Sequence, residues 1–199
     1  MPSRHTSFVP LAATRLTAVL FVLTLLPIMS LPASAEIELF GGNPLFEAIK
    51  ANNPQRVEEA LAGGEKVEVQ DFDGRRAIIY AALVGSTDIV EILIRQSALL
   101  DHRDKLGNCA LYYAASRGDA DVSEALIQAG AKMDISNRQG VTPLIIAAKL
   151  GHQHIVQLLL EKGANANLRD YTGRSALMWA EWNRKPAIAR ILRQAGASE

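Results

Sequence analysis

Residues 137–169 read NRQGVTPLIIAAKLGHQHIVQLLLEKGANANLR. Gly140 suits a tight turn that needs positive φ, and Asn137 before it can cap that turn through its side-chain oxygen. Pro143 stands at the first position of a helix, where a missing N–H costs nothing. Gly151 ends that helix. Ile155, Val156, Leu158, Leu159 and Leu160 then recur at helical spacing, and Gly163 closes this second helix. The stretch is a turn followed by two short helices.

A step of 33 residues in either direction meets the same punctuation. Copies begin at Asp71, Asp104, Asn137 and Asp170 without gaps, and a degenerate copy runs back to Glu38. Gly74, Gly107 and Gly173 repeat the turn, Gly85 and Gly118 the first stop, and Gly64, Gly130 and Gly196 the second. Ala81-Ala82, Ala114-Ala115 and Ala147-Ala148 let neighbouring copies approach closely. The repeats span about 38–70, 71–103, 104–136, 137–169 and 170–199. This pattern predicts an all-α solenoid of stacked helix pairs, in which each repeat touches only its neighbours.

Thr142-Pro143-Leu144, Gly151-His152, Leu158-Leu159-Leu160 and Gly163-Ala164 give the chain its resemblance to the ankyrin-repeat family, which extends over Glu38 to Glu199. The resemblance implies helix pairs joined by β-hairpin-like loops in a curved stack. Three departures stand out. The column that carries the family's motif histidine reads Phe46, Ile79, Tyr112, Ile145 and Met178, so a helix-to-loop hydrogen bond is expected to give way to apolar packing. Ser97 replaces a glycine expected to be left-handed, which adds local strain. Glu181 to Pro186 replace the Ala-x-x-Gly run in the last copy, and their charge suits a terminal cap.

Catalysis needs a constellation of reactive side chains, and the sequence offers none, so the chain reads as a non-enzyme without cofactor or metal. His152 and His154 lie two apart, which does not place them on one helix face. Asp101 and Asp104 beside His102 read as turn-capping acids. Tyr80, Tyr113 and Trp179 form an aromatic stripe at the repeat period; core packing between helices is preferred over a ligand box. Cys109 is a single thiol: it is either a reactive or intermolecular group or a small residue in a Ser/Thr position, and the second reading is preferred.

The resemblance implies that partners meet the loop tips and the exposed side of the first helices. The candidate residues are Phe72, Arg75 and Leu83 in the second copy, and Arg103, Lys105, Leu106 and Arg117 in the third. The fourth supplies Arg138, Lys149 and Leu150, and the fifth Arg169, Tyr171, Arg174 and Trp182. Across these columns eight basic residues face a single acid, Asp73. Arginine mixed with aromatic residues is the composition of interface hot spots. The expected partner is a protein with an acidic surface, not a nucleic acid.

Upstream, residues 1–35 contain no acid, Arg4 and Arg15 are basic, and LTAVLFVLTLLPIMS from Leu16 to Ser30 is uncharged. Ala33-Ser34-Ala35 is a small-x-small end, so the segment reads as a secretory signal peptide cut between Ala35 and Glu36. The alternative is an uncleaved anchor, which Pro27 and Pro32 would interrupt. Removing two of 21 basic residues and none of 21 acids leaves 19 − 21 = −2 on the mature chain, residues 36–199. A signal peptide ahead of a short ankyrin stack is similar to the exported, periplasmic ankyrin proteins of Gram-negative bacteria. That resemblance implies a periplasmic protein with no membrane contact after cleavage, serving as an accessory to an enzyme such as catalase in oxidative-stress protection. The alternative is an inhibitor or immunity protein that blocks a toxic enzyme.

Overall fold

The computed structural model describes residues 42–198. The expected signal peptide and its Ala35–Glu36 junction lie outside the described residues.

Five helix pairs follow one another: α1 (Pro44–Lys50) with α2 (Pro54–Ala62), α3 (Ala77–Val84) with α4 (Thr87–Arg95), α5 (Ala110–Arg117) with α6 (Ala120–Gln128), α7 (Pro143–Leu150) with α8 (Gln153–Glu161), and α9 (Ala176–Trp182) with α10 (Pro186–Gln194). The described residues form no sheet; isolated antiparallel bridges at Gln70–Arg76 and Arg169–Ser175 close two loops. No described helix is long and apolar enough to cross a membrane.

The first helices stack on one another more closely than the second helices do. The alanine pairs explain the difference. Ala81, Ala82, Ala114, Ala115, Ala147 and Ala148 are fully buried, and a methyl group is all the space between inner helices admits. Larger side chains, Ile89, Leu93, Leu126, Ile155 and Leu159, fill the layer beneath the outer helices. Small residues in one row and large ones in the other let the inner helices pack more closely than the outer ones.

Two ladders at the repeat period tie neighbour to neighbour. In the first, Lys105 N donates to Asp73 O at 2.9 Å, Arg138 N to Leu106 O at 3.0 Å, and Tyr171 N to Gln139 O at 2.9 Å. This couples each loop tip to the next. In the second, Glu68 accepts from Leu99 N, Asp101 from Lys132 N, Asp134 from Asn165 N and Asn167 from Ser198 N, at 2.7 to 3.1 Å. Asp101 therefore caps the following repeat rather than its own turn.

The left-handed positions fall where the glycine columns predict, with three exceptions: Asn52, Ser97 and Arg184 have φ of 49°, 60° and 55°. Ser97 is the departure expected from sequence, and Asn52 and Arg184 are its counterparts at the first helix stop of the two terminal repeats. A side chain there costs conformational energy that glycine does not.

Candidate binding face

Each loop is built around one carboxylate or amide. Oδ1 of Asp71 accepts from the backbone of Asp73 and Arg75, Asp104 from Leu106 and Asn108, Asn137 from Gln139 and Val141, and Asp170 from Thr172 and Arg174, all at 2.7 to 3.1 Å. The remaining oxygen of each aspartate is taken from the helix. Tyr80 Oη donates to Asp71 Oδ2 at 2.9 Å, Tyr113 Oη to Asp104 Oδ2 at 2.5 Å, and Trp179 Nε1 to Asp170 Oδ2 at 2.7 Å.

This refines two sequence expectations. Tyr80, Tyr113 and Trp179 are half-buried and pack against the core as the repeat period predicts, and their polar ends also bond to the loops. The helix-to-loop hydrogen bond survives, moved one residue along from the motif column. Phe46, Ile79 and Ile145 do provide the apolar packing expected of that column, being 6%, 0% and 1% exposed, while Tyr112 and Met178 are half-buried.

The fourth repeat shows the rule by breaking it. Its helix residue is Ile146, which cannot donate, and its loop residue is Asn137 rather than Asp. Asn137 Nδ2 instead donates to Asn108 Oδ1 at 3.0 Å, Asn108 Nδ2 donates to Tyr113 Oη at 3.1 Å, and that hydroxyl donates to Asp104. An aspartate at 137 would bury an oxygen with no donor. Burial alone would raise the Asp170 carboxyl, but hydrogen bonds from Thr172, Trp179 and the backbone of Arg174 outweigh it and hold the group below its usual range.

The rigid loops present what the sequence places on their tips. Phe72 is 96% exposed, Tyr171 78% and Trp182 70%. Leu106 and Leu150 are also exposed large apolar residues, while Leu83 is half-buried. Arg103, Lys105, Arg117, Arg138 and Arg169 are exposed, and Arg75, Lys149 and Arg174 are half-buried.

The basic residues are not equivalent. Arg75 lies 3.2 Å from Asp73 and 4.0 Å from both Asp71 and Asp104, so it holds two loops together. Arg117 faces Asp119 at 4.0 Å. Arg103 donates to Ser136 O at 3.3 Å and Arg169 to Gly173 O at 2.9 Å, and both remain exposed. Lys149 Nζ sits 4.1 Å from the centre of the Trp179 ring, and the Arg174 guanidinium carbon 5.1 Å from that ring and 5.0 Å from the Trp182 ring. Sequence spacing marked Lys149, Arg174 and Trp182 as binding residues but not Trp179, which joins them.

Reactive chemistry finds little to start from. Among the described residues no group of three His, Cys, Asp or Glu could hold a metal ion. His152 Nε2 is 3.0 Å from Ser116 O and His102 Nε2 is 2.8 Å from Gly74 O, so both rings tie repeats together. Cys109 is buried at the N-terminus of α5, and burial pushes its thiol up, away from the thiolate. A cleft of about 440 Å³ between Phe46, Phe72 and Tyr80 opens at the N-terminal end of the inner surface.

The family model for ankyrin repeats, in three copies, matches residues 45–137 and 118–198. No curated protein matches the chain.

Proposed function

Because the chain belongs to the ankyrin-repeat family, whose repeats make a protein-binding module, we propose that its loop tips and inner helices bind an acidic protein surface in the periplasm. The observation that carries this reading is the row of exposed side chains on hydrogen-bonded loop tips, Phe72, Lys105, Arg138 and Tyr171, one from each successive repeat. Such a row is rigid before binding, so little ordering entropy is lost when a partner arrives. Its charge is complementary to an acidic partner and speeds encounter.

Export rests on the sequence of residues 1–35. A mature chain beginning at Glu36 meets its partner outside the cytoplasm, and the accessory role toward a periplasmic enzyme such as catalase follows from the resemblance to exported ankyrin proteins. The test is crosslinking in intact cells followed by mass spectrometry, with native chain and the Arg103→Glu, Arg117→Glu double variant compared. The expected result is one dominant acidic partner with the native chain and its loss with the variant, while circular dichroism is unchanged. Equal capture by both chains would refute the basic-face reading.

A further inference from the structure

Charge is distributed unevenly along the stack. Residues 42–104 carry eleven acids and seven basic residues, whereas residues 138–198 carry nine basic residues and three acids. Those three acids are already engaged or turned elsewhere. Asp170 is 6% exposed and bonded within its own loop. Glu181 pairs with Arg193, and Glu161 ends the outer helix α8. The inner surface of the last two repeats thus holds cations without a carboxylate of their own.

Lys149 and Arg174 are the clearest pair. Among the described residues neither meets a carboxylate within ion-pair distance, unlike Arg75 and Arg117 earlier in the stack. Both lie against the same indole, Trp179, at 4.1 and 5.1 Å, and Arg174 bridges on to Trp182 at 5.0 Å. The indole is itself fixed by its bond to Asp170. Arg174 also donates from one guanidinium nitrogen to Thr172 Oγ1 at 3.1 Å. The two cations are therefore held by aromatic rings and one hydroxyl and not by counter-charges, with further hydrogen-bond donors still to satisfy. Trp182, 70% exposed, adds an apolar surface beside them.

We propose that Lys149, Trp179, Arg174 and Trp182 form the docking site for an acidic peptide segment of the partner, its carboxylates over Lys149 and Arg174 and an apolar side chain against Trp182. The proposal rests on the protein-binding reading above and adds the place and the ligand class. Fixed guanidinium and ammonium groups suit carboxylates through charge-assisted hydrogen bonds. A cationic ligand is disfavoured, because the chain's own cations already lie against the indole. Stacking of nucleic-acid bases is disfavoured for the same reason, since Trp179 is already covered and Trp182 alone cannot form a platform for successive bases.

Trp179 and Trp182 are the two tryptophans of the chain, so selectively excited tryptophan emission reports this site alone. Peptides are selected from a random displayed library on the immobilised mature chain, then titrated against it at low and high salt. The expected selection is a consensus of paired acidic residues beside a large apolar one, with a saturable change in tryptophan emission. Affinity should fall about tenfold or more in the Lys149→Gln, Arg174→Gln double variant, a loss of about 1.4 kcal/mol or more. It should also weaken as salt rises. Trp182→Phe, which keeps an apolar ring, should retain most of the affinity while Trp182→Ala should not. An acidic consensus that binds the double variant equally overturns this site and leaves the protein-binding reading standing. A neutral or basic consensus, no enriched consensus at all, or single-stranded DNA binding more tightly than every peptide, overturns the proposal. The in-cell crosslinking result decides the broader reading independently.

Discussion

Trp179 donates its indole N–H to Oδ2 of Asp170, nine residues back in the chain, at 2.7 Å. The same offset joins Tyr80 to Asp71 and Tyr113 to Asp104. Where the offset meets Ile146, the loop residue is Asn137 and its amide turns to Asn108 instead. Loop and helix residues thus vary together so that no buried loop oxygen lacks a donor.

A double-mutant cycle tests this coupling. Asn137→Asp alone should cost about 1–3 kcal/mol, the penalty of an unpaired buried polar group. Adding Ile146→Tyr should recover a large part of it by supplying the donor. The urea midpoint of the four proteins measures the interaction energy; additive effects would show that the pairing rule is not energetic.

Acid should act on the same bond. The Asp170 carboxyl titrates below its usual range in the folded chain, so it contributes stability above the unfolded value and loses it as pH falls through the folded one. The stability gap between native chain and Asp170→Asn should therefore be widest near neutrality and shrink below about pH 4. Denaturation followed by tryptophan emission across that range measures it. A gap that stays constant would show that ionised Asp170 is not what binds the indole.

Two positions should accept improvement. Thr142 and Ser175 cap their helices, accepting from Ile145 N and Met178 N, whereas Cys109 at the equivalent place makes no such side-chain bond. Cys109→Thr should add about 0.5–2 kcal/mol, the usual range for a cap. Ser97→Gly should relieve a left-handed serine and add about 1–2 kcal/mol. Thermal unfolding of each variant checks both.

Overpacking tests the inner row. Ala148 is fully buried between first helices, so Ala148→Leu should cost about 1–3 kcal/mol. An unchanged urea midpoint would mean that the row can spread, and that alanine is not what sets its spacing.

The fold was legible because its grammar is local. The glycines of each repeat fix turns and helix stops, and their spacing alone counts the copies. The face was legible only as columns. Arg75 and Trp182 stand in equally free columns, yet Arg75 is held by three aspartates and Trp182 stands open. That difference depends on which acids surround the position, Asp71 and Asp73 of its own loop and Asp104 of the next, and no single column records it. The repeat period of Tyr80, Tyr113 and Trp179 gives their packing against the core but not the hydrogen bonds their polar ends make to the loops. The signal was present nonetheless, in the switch from Asp to Asn at 137 that accompanies Ile146.

Charge and aromatic surface should separate kinetically. Arg103→Glu with Arg117→Glu should slow association and flatten its salt dependence, because rim charges steer encounter. Trp182→Ala should mainly speed dissociation, at a cost of about 2 kcal/mol or more if binding has its hot spot there. Surface plasmon resonance against the captured partner at two salt concentrations reads both rates. Identical rate changes from the two variants would mean that the face does not divide labour in this way.

The central claim is that the inner surface, not the outer helices, meets the partner. Site-specific photo-crosslinking in intact cells addresses it directly, with a photoreactive residue placed at Phe72, Leu106, Tyr171 or Trp182 on one side and at Glu91, Glu124, Gln157 or Gln194 on the outer helices. The account predicts one shared crosslinked protein from the first set, joined through an acidic segment at Trp182, and none from the second. Crosslinks confined to the outer helices would contradict it.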